Sequence, residues 1–215
     1  MRRPGMLALC LALAVPLLLT RPAAADGLYF SEGFGGTKFE NELGGFTGGA
    51  FRIRVALGYR ARRVAVEAFF GGDVSTEAYT SPSQPDLVSY GLDAKYLFPV
   101  SKHIEVYLRG SMSRATIDEY ESSELDGYAG RGLGLGTGVQ LKGRAPLLTM
   151  FFWPAAVVCA STGKCKNLGP EATFAVYLDQ GYDFYRLHGP GSRAGRAVDA
   201  EATRWTLGCA LGADF

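Results

Sequence analysis

Histidine, cysteine and long apolar runs are all scarce in this chain. It holds 2 His and 4 Cys in 215 residues. General-base chemistry most often runs through a histidine set beside a nucleophile or a carboxylate. His103 is followed by Ile104 and Glu105, and His188 by Gly-Pro-Gly-Ser-Arg. Asp183, the acid ahead of His188, falls on the opposite face of a regular strand. The sequence therefore assigns no catalytic residue, and no cofactor or metal ligand.

A basic excess is missing as well. The formal net charge is +1. Removal of the first 25 residues takes away Arg2, Arg3 and Arg21 and no acid, leaving 19 basic against 21 acidic residues. A chain built to grip nucleic acid is strongly basic, so no nucleic-acid partner is expected.

The apolar runs are short. MLALCLALAVPLLL, after a basic start and before the Ala-x-Ala of Ala23 and Ala25, has signal-peptide form. Residues 1–25 read as a cleavable export signal, which takes Cys10 with it, and 26–215 as one domain. The second run, Leu147 to Cys159, contains Pro154 and is too short to span a bilayer as a helix.

What the chain does have is glycine, 29 in all, and alternation. The usual glycine share is ~7%. AFRIRVALGY sets Phe51, Ile53, Val55, Leu57 and Tyr59 on one face, with Arg52, Arg54, Ala56 and Gly58 on the other. VAVEAFFG, VSYGLDAKYLF, IEVYLRGSM and RWTLGCALGADF repeat the pattern, which is the period of a strand with two unlike faces. YAGRGLGLGTGVQLK makes a sixth strand, one face of which is Gly130, Gly132, Gly134, Gly136 and Gly138. TFAVYLDQGYDFY is a less regular seventh, since Gln180 falls on the apolar side. GLYFSEGFGGTKF, the first in order, is the weakest, since Glu32 breaks its apolar row. The sum is eight strands.

The connections alternate. RARR and PVSKH are short; those at about 40–48, 73–86, 114–127 and 188–203 are longer and polar. That alternation marks an up-and-down antiparallel barrel. Alternation alone also fits a soluble, lipocalin-like carrier with its apolar face inward. Aromatics near the strand ends (Tyr59, Phe98, Trp205, Phe215) suit interfacial girdles instead. A glycine-lined face suits a narrow lumen crowded by long neighbours.

The terminal strand, closing on Phe215, resembles the C-terminal signal of bacterial outer-membrane barrels. The chain over 26–215 thus resembles the small eight-stranded outer-membrane group of the OmpA transmembrane domain and OmpX. The resemblance implies a Gram-negative outer membrane, contact with its lipid and lipopolysaccharide, and recognition of Phe215 by the barrel-assembly machinery. A monomer with a structural or surface-interaction role is expected; the runner-up is a small passage for small or hydrophobic molecules.

Charges on the inward rows (Arg52, Arg54, Glu67, Asp93, Lys95, Glu105, Arg109, Asp179, Asp183, Arg204 and Asp214) should pair, because an unpaired buried charge costs several kcal/mol. Two features stand apart. The segment RAPLLTMFFWPAAVVCASTGKCKNLGP, between strands six and seven, falls by parity on the short-turn rim, as an insert at that mouth or an extension of the two strands. Within it, Cys159 and Cys165 are placed to form a disulfide. Five acids (Asp118, Glu119, Glu121, Glu124, Asp126) read as a solvated outer loop rather than a calcium site.

Overall fold

The computed structural model describes residues 27–41, 49–75, 86–118, 127–146, 171–189 and 197–212. Eight antiparallel strands close into one barrel in chain order. They are β1 (Gly27–Glu40), β2 (Gly49–Ala61), β3 (Val64–Ser75), β4 (Asp86–Pro99), β5 (Ile104–Asp118), β6 (Ala129–Pro146), β7 (Glu171–His188) and β8 (Ala197–Gly212). Pairing of β1 with β8 leaves no open edge, which a lipid-embedded sheet requires because no water is there to satisfy an edge.

The register sets the shape. Followed from Gly27 through Arg60, Ala65, Lys95, Arg109, Gly136, Gly181 and Arg204, the ladder returns to β1 at Thr37. It re-enters ten residues beyond its start. Eight strands with that stagger tilt by about 40–45° and enclose a space that side chains fill. The outward apolar row of β4, from Val88 to Phe98, then rises about 24 Å, close to the height of an outer-membrane apolar band.

One end carries tight turns. Arg62 and Arg63 join β2 to β3 with Arg62 at a φ of 55°, and the Arg60 Nε donates to the Arg62 carbonyl at 2.9 Å. Residues 100–103 join β4 to β5, where Ser101 Oγ accepts from the Ile104 amide at 3.1 Å. The opposite end holds the long connections, which lie outside the described residues for 42–48, 76–85, 119–126 and 190–196.

The strands outrun the sequence expectation at this loop end. Asp73 to Ser75, Arg114 to Asp118 and Ala197 to Thr203, expected in connections, belong to β3, β5 and β8. The reason is an inversion of pattern. Here the inward residues are apolar (Phe39, Leu87, Ile117, Leu187, Val198 and Ala200) and form one buried cluster with Tyr185. Outward stand Lys38, Glu40, Arg114, Arg131, Arg186 and Asp199. Beyond the lipid band the wall obeys the rule of a soluble barrel.

At the turn end, β6 and β7 extend each other as far as the pair Pro146 and Glu171, so the segment between them begins as a continuation of the two strands. Residues 147–170, with Cys159 and Cys165, lie outside the described residues, as do residues 1–25 and Phe215. Cys209 is a buried, free thiol.

Candidate functional site: a charged lumen under an apolar cap

Alternation sends every second residue of β1 to β8 inward, and between the turn end and the apolar cluster charged side chains lie among small, aliphatic and aromatic ones, six of which (Tyr29, Ala65, Leu97, Tyr107, Ala175 and Ala210) form a second buried apolar cluster. They assemble in three tiers. Nearest the turns, the Glu105 carboxylate receives both terminal nitrogens of Arg60, at 2.8 and 2.9 Å. It also accepts from Gln140 and Lys142 at 2.7 Å each. A fork-to-fork guanidinium–carboxylate contact with two further donors leaves that carboxylate fully engaged.

The middle tier is built on Arg54. Its Nη2 lies 2.7 Å from both Glu67 and Asp93. Lys95 reaches the other Glu67 oxygen at 2.5 Å, which Tyr29 also approaches at 2.8 Å. Arg109 joins Asp93 at 3.3 Å to Asp179 at 3.1 Å, and the Tyr107 hydroxyl donates to Asp179 at 3.0 Å. The Lys95 ammonium also sits 5.0 and 5.4 Å from the ring centroids of Tyr107 and Tyr177, within cation–π range.

The third tier centres on Arg204, which bridges Asp73 at 2.8 Å and Asp183 at 2.5 Å. It also donates to the Tyr185 hydroxyl. Arg52 meets the same Asp73 oxygen at 2.9 Å, and Thr37 donates to the other. Above this tier the apolar cluster begins.

All of the inward charges expected from alternation take part, apart from Asp214, which lies outside the described residues. Arg60, Asp73 and Lys142 take part too and were not foreseen. In the sequence Arg60 and Asp73 fall where a turn and a loop are expected. Counting two further along β2, β3 and β6 in the same parity would have found all three.

The glycine face of β6 has the role its emptiness suggested. A Cβ at Gly138 would strike the Tyr107 ring, at Gly136 the Arg109 guanidinium, at Gly134 the Asp183 carboxylate, and at Gly132 the Tyr185 ring. Four large side chains from β5 and β7 rest in that hollow strip. Between the first two tiers lies a void of about 10 Å³ lined by Tyr29, Arg60, Glu67, Lys95, Gln140 and Tyr177, room for about one water.

The two histidines stay apart. His103 lies in the turn before β5, with its Nδ1 3.2 Å from the Lys142 carbonyl oxygen. His188 ends β7 at the loop end. Among the described residues there is no group of three His, Cys, Asp or Glu arranged to hold a metal. Outside, the two breaks in the apolar rows face the lipid band. Glu32 stands between Val55 and Cys209, and Gln180 between Thr137 and Trp205.

This is the wall and filling of a small outer-membrane barrel, and the comparisons agree. Residues 7–145 match the model of the outer membrane protein beta-barrel domain. The chain belongs to that family. No curated protein sequence matches it significantly. Among solved structures it is similar to Neisserial surface protein A, with 20% identity and a TM-score of 0.52 over 86% of this chain and 96% of that one. The N-terminal barrel domain of Pseudomonas aeruginosa OprF aligns at 15% identity and TM-score 0.42, covering 88% of this chain and 99% of that one. Ail of Yersinia pestis aligns at 14% and 0.43, covering 87% and 98%. At 20% identity the likeness to Neisserial surface protein A is one of fold.

Proposed function

We propose that the protein is a closed, non-conducting barrel of the outer membrane whose role is structural or adhesive, exercised through the loops at its outer end. The turn end faces the periplasm and the loop end the exterior. Residues 1–25 direct export, and the terminal strand with Phe215 addresses the chain to the assembly machinery. It acts as a monomer.

The carrying observation is the lumen. Three tiers of paired charge fill it through the height of the lipid band, and an apolar cluster closes it above. Opposite charges 2.5–3.3 Å apart in a space of low dielectric hold one another rather than line a wet path. An ion entering from either side meets a barrier of a different kind. Expelling the apolar cluster exposes hydrocarbon to water, and parting the ion pairs strands buried charges.

Planar bilayers containing the purified protein test this directly. Silence is the expected record; a long-lived ohmic conductance from the unaltered barrel would show an open lumen and favour a passage role. Orientation is tested by single cysteines at Ser81, Glu121, Ser192 and Arg62, in a background without the native thiols. An impermeant reagent on intact cells should label the first three and spare the last.

A further inference from the structure

Three arginines stand side by side on the outer wall where the apolar band ends. Arg114 of β5 pairs with Arg131 of β6, and Arg131 pairs with Arg186 of β7. All three are exposed on the outward face. Directly opposed residues on neighbouring strands have Cβ atoms only ~4.5–5.5 Å apart, and like charges so placed repel. Local compensation is thin. The Arg186 Nε approaches Asp199 at 3.7 Å, with both side chains about half or more exposed. Among the described residues no ion pair is formed by Arg114 or Arg131. A row of mutually repelling cations is stable where an anion completes it.

What lies below the row identifies the anion. Two residues toward the membrane on the same three strands stand Met112, Leu133 and Phe184, exposed by 68%, 63% and 39%. Each arginine thus sits above an apolar side chain facing lipid. The row climbs with the strand tilt by about 3 Å per strand, so it stays within the depth of a headgroup layer. A soluble anion would use the arginines alone. An amphiphile with phosphates above acyl chains uses both storeys. Guanidinium groups suit the task because their fork of donors matches phosphate oxygens two at a time.

We infer that Arg114, Arg131 and Arg186 form a docking stripe for the phosphorylated headgroup of an outer-leaflet saccharolipid, with its acyl chains on Met112, Leu133 and Phe184. The inference rests on the outer-membrane reading above, and its test reads lipid binding rather than conductance, so that either can fail without the other.

The full mature barrel is folded in detergent and titrated with bisphosphorylated lipid A, with the same lipid stripped of phosphate, and with inorganic phosphate. Adducts are counted by native mass spectrometry, and the thermal unfolding of the barrel is followed by its heat-dependent gel mobility. Bisphosphorylated lipid A should bind and raise the unfolding temperature, the stripped lipid should bind about tenfold or more weakly, and inorganic phosphate should give no protection.

The triple variant R114Q/R131Q/R186Q should lose the difference between the two lipids. R114K/R131K/R186K, which keeps charge but not the fork, should retain part of it. Arg63→Gln with Lys102→Gln, at the opposite end, should bind as the native protein does. If the triple glutamine variant folds poorly, the single variant Arg131→Gln, altering only the central position, should still weaken binding. Equal binding of phosphorylated and stripped lipid, undiminished binding by the arginine variants, or equal protection by inorganic phosphate would overturn the stripe.

Discussion

The waist of this barrel and its loop end are made from the same eight strands, yet they are inside-out relative to each other. In the waist the lumen holds Arg54, Glu67, Asp93 and Lys95, while Leu57, Leu92 and Leu135 face outward. At the loop end Leu87, Ile117, Leu187 and Val198 are inside, while Arg114, Arg131, Arg186 and Asp199 are outside. The solvent explains the change. Lipid rewards an apolar outer surface and leaves polar groups no refuge except one another. Beyond the headgroups the surroundings are water, and the usual burial of apolar side chains returns. One closed sheet is thereby stabilised in two ways, by ion pairing below and hydrocarbon packing above.

The largest effect should come from breaking the waist. Glu67 holds Arg54, Lys95 and Tyr29 together. Glu67→Ala leaves two cations buried beside a cavity, and a loss of about 3–5 kcal/mol is expected. Urea unfolding of the barrel in lipid vesicles measures it. A loss below about 1 kcal/mol would mean that water already reaches these charges and that the filled-lumen account is wrong.

Next comes the apolar end. Leu87 is 1% exposed within the cap. Leu87→Ala should cost about 2–5 kcal/mol by opening a cavity, while the bilayer recording stays silent because the charged tiers below remain. The same experiment then separates the two regions as barriers: conductance in Leu87→Ala would show that the cap, and not the ion pairs, closes the barrel.

A smaller effect is expected from filling the hollow strip. Gly138→Ala places a methyl group against the Tyr107 ring. The ring must shift, and its bond to Asp179 weakens, for a loss of about 1–3 kcal/mol. Adding Tyr107→Phe in the same chain should then cost less than it does alone, a coupling that a double-mutant cycle reads.

The smallest change belongs to the outer wall. The Arg186–Asp199 pair is exposed and loose at 3.7 Å. Asp199→Asn should alter unfolding by less than about 1 kcal/mol. A larger loss would show that this pair neutralises the arginine row by itself and would weaken the case for a lipid anion there.

Much of this was legible in the residues. Alternation with a period of two, short connections against long ones, and a face of glycines were enough for an eight-stranded barrel with its charges inside. Glu32 and Gln180, which disturbed the apolar rows, did not mislead the register, because parity along a strand survives a single exception. Arg60 and Asp73 were missed because a hydrophobic row fades before its strand ends. The same fading hid the last third of β5 and the first half of β8, where the apolar residues had changed sides.

Parity, then, is what the chain determines by itself: a strand has two faces, and every inward charge here follows from counting in twos. The partners of those charges are a tertiary matter. Arg204 meets Asp73 across the lumen at a sequence separation of 131, and no local pattern couples β8 to β3. Only closure with a stagger of ten residues brings the two to one height. The same stagger aligns Arg114, Arg131 and Arg186 into a row, though they lie on three different strands. Side-chain direction is a local property of the backbone, whereas neighbourhood across a closed sheet depends on how far each strand has slipped past the next.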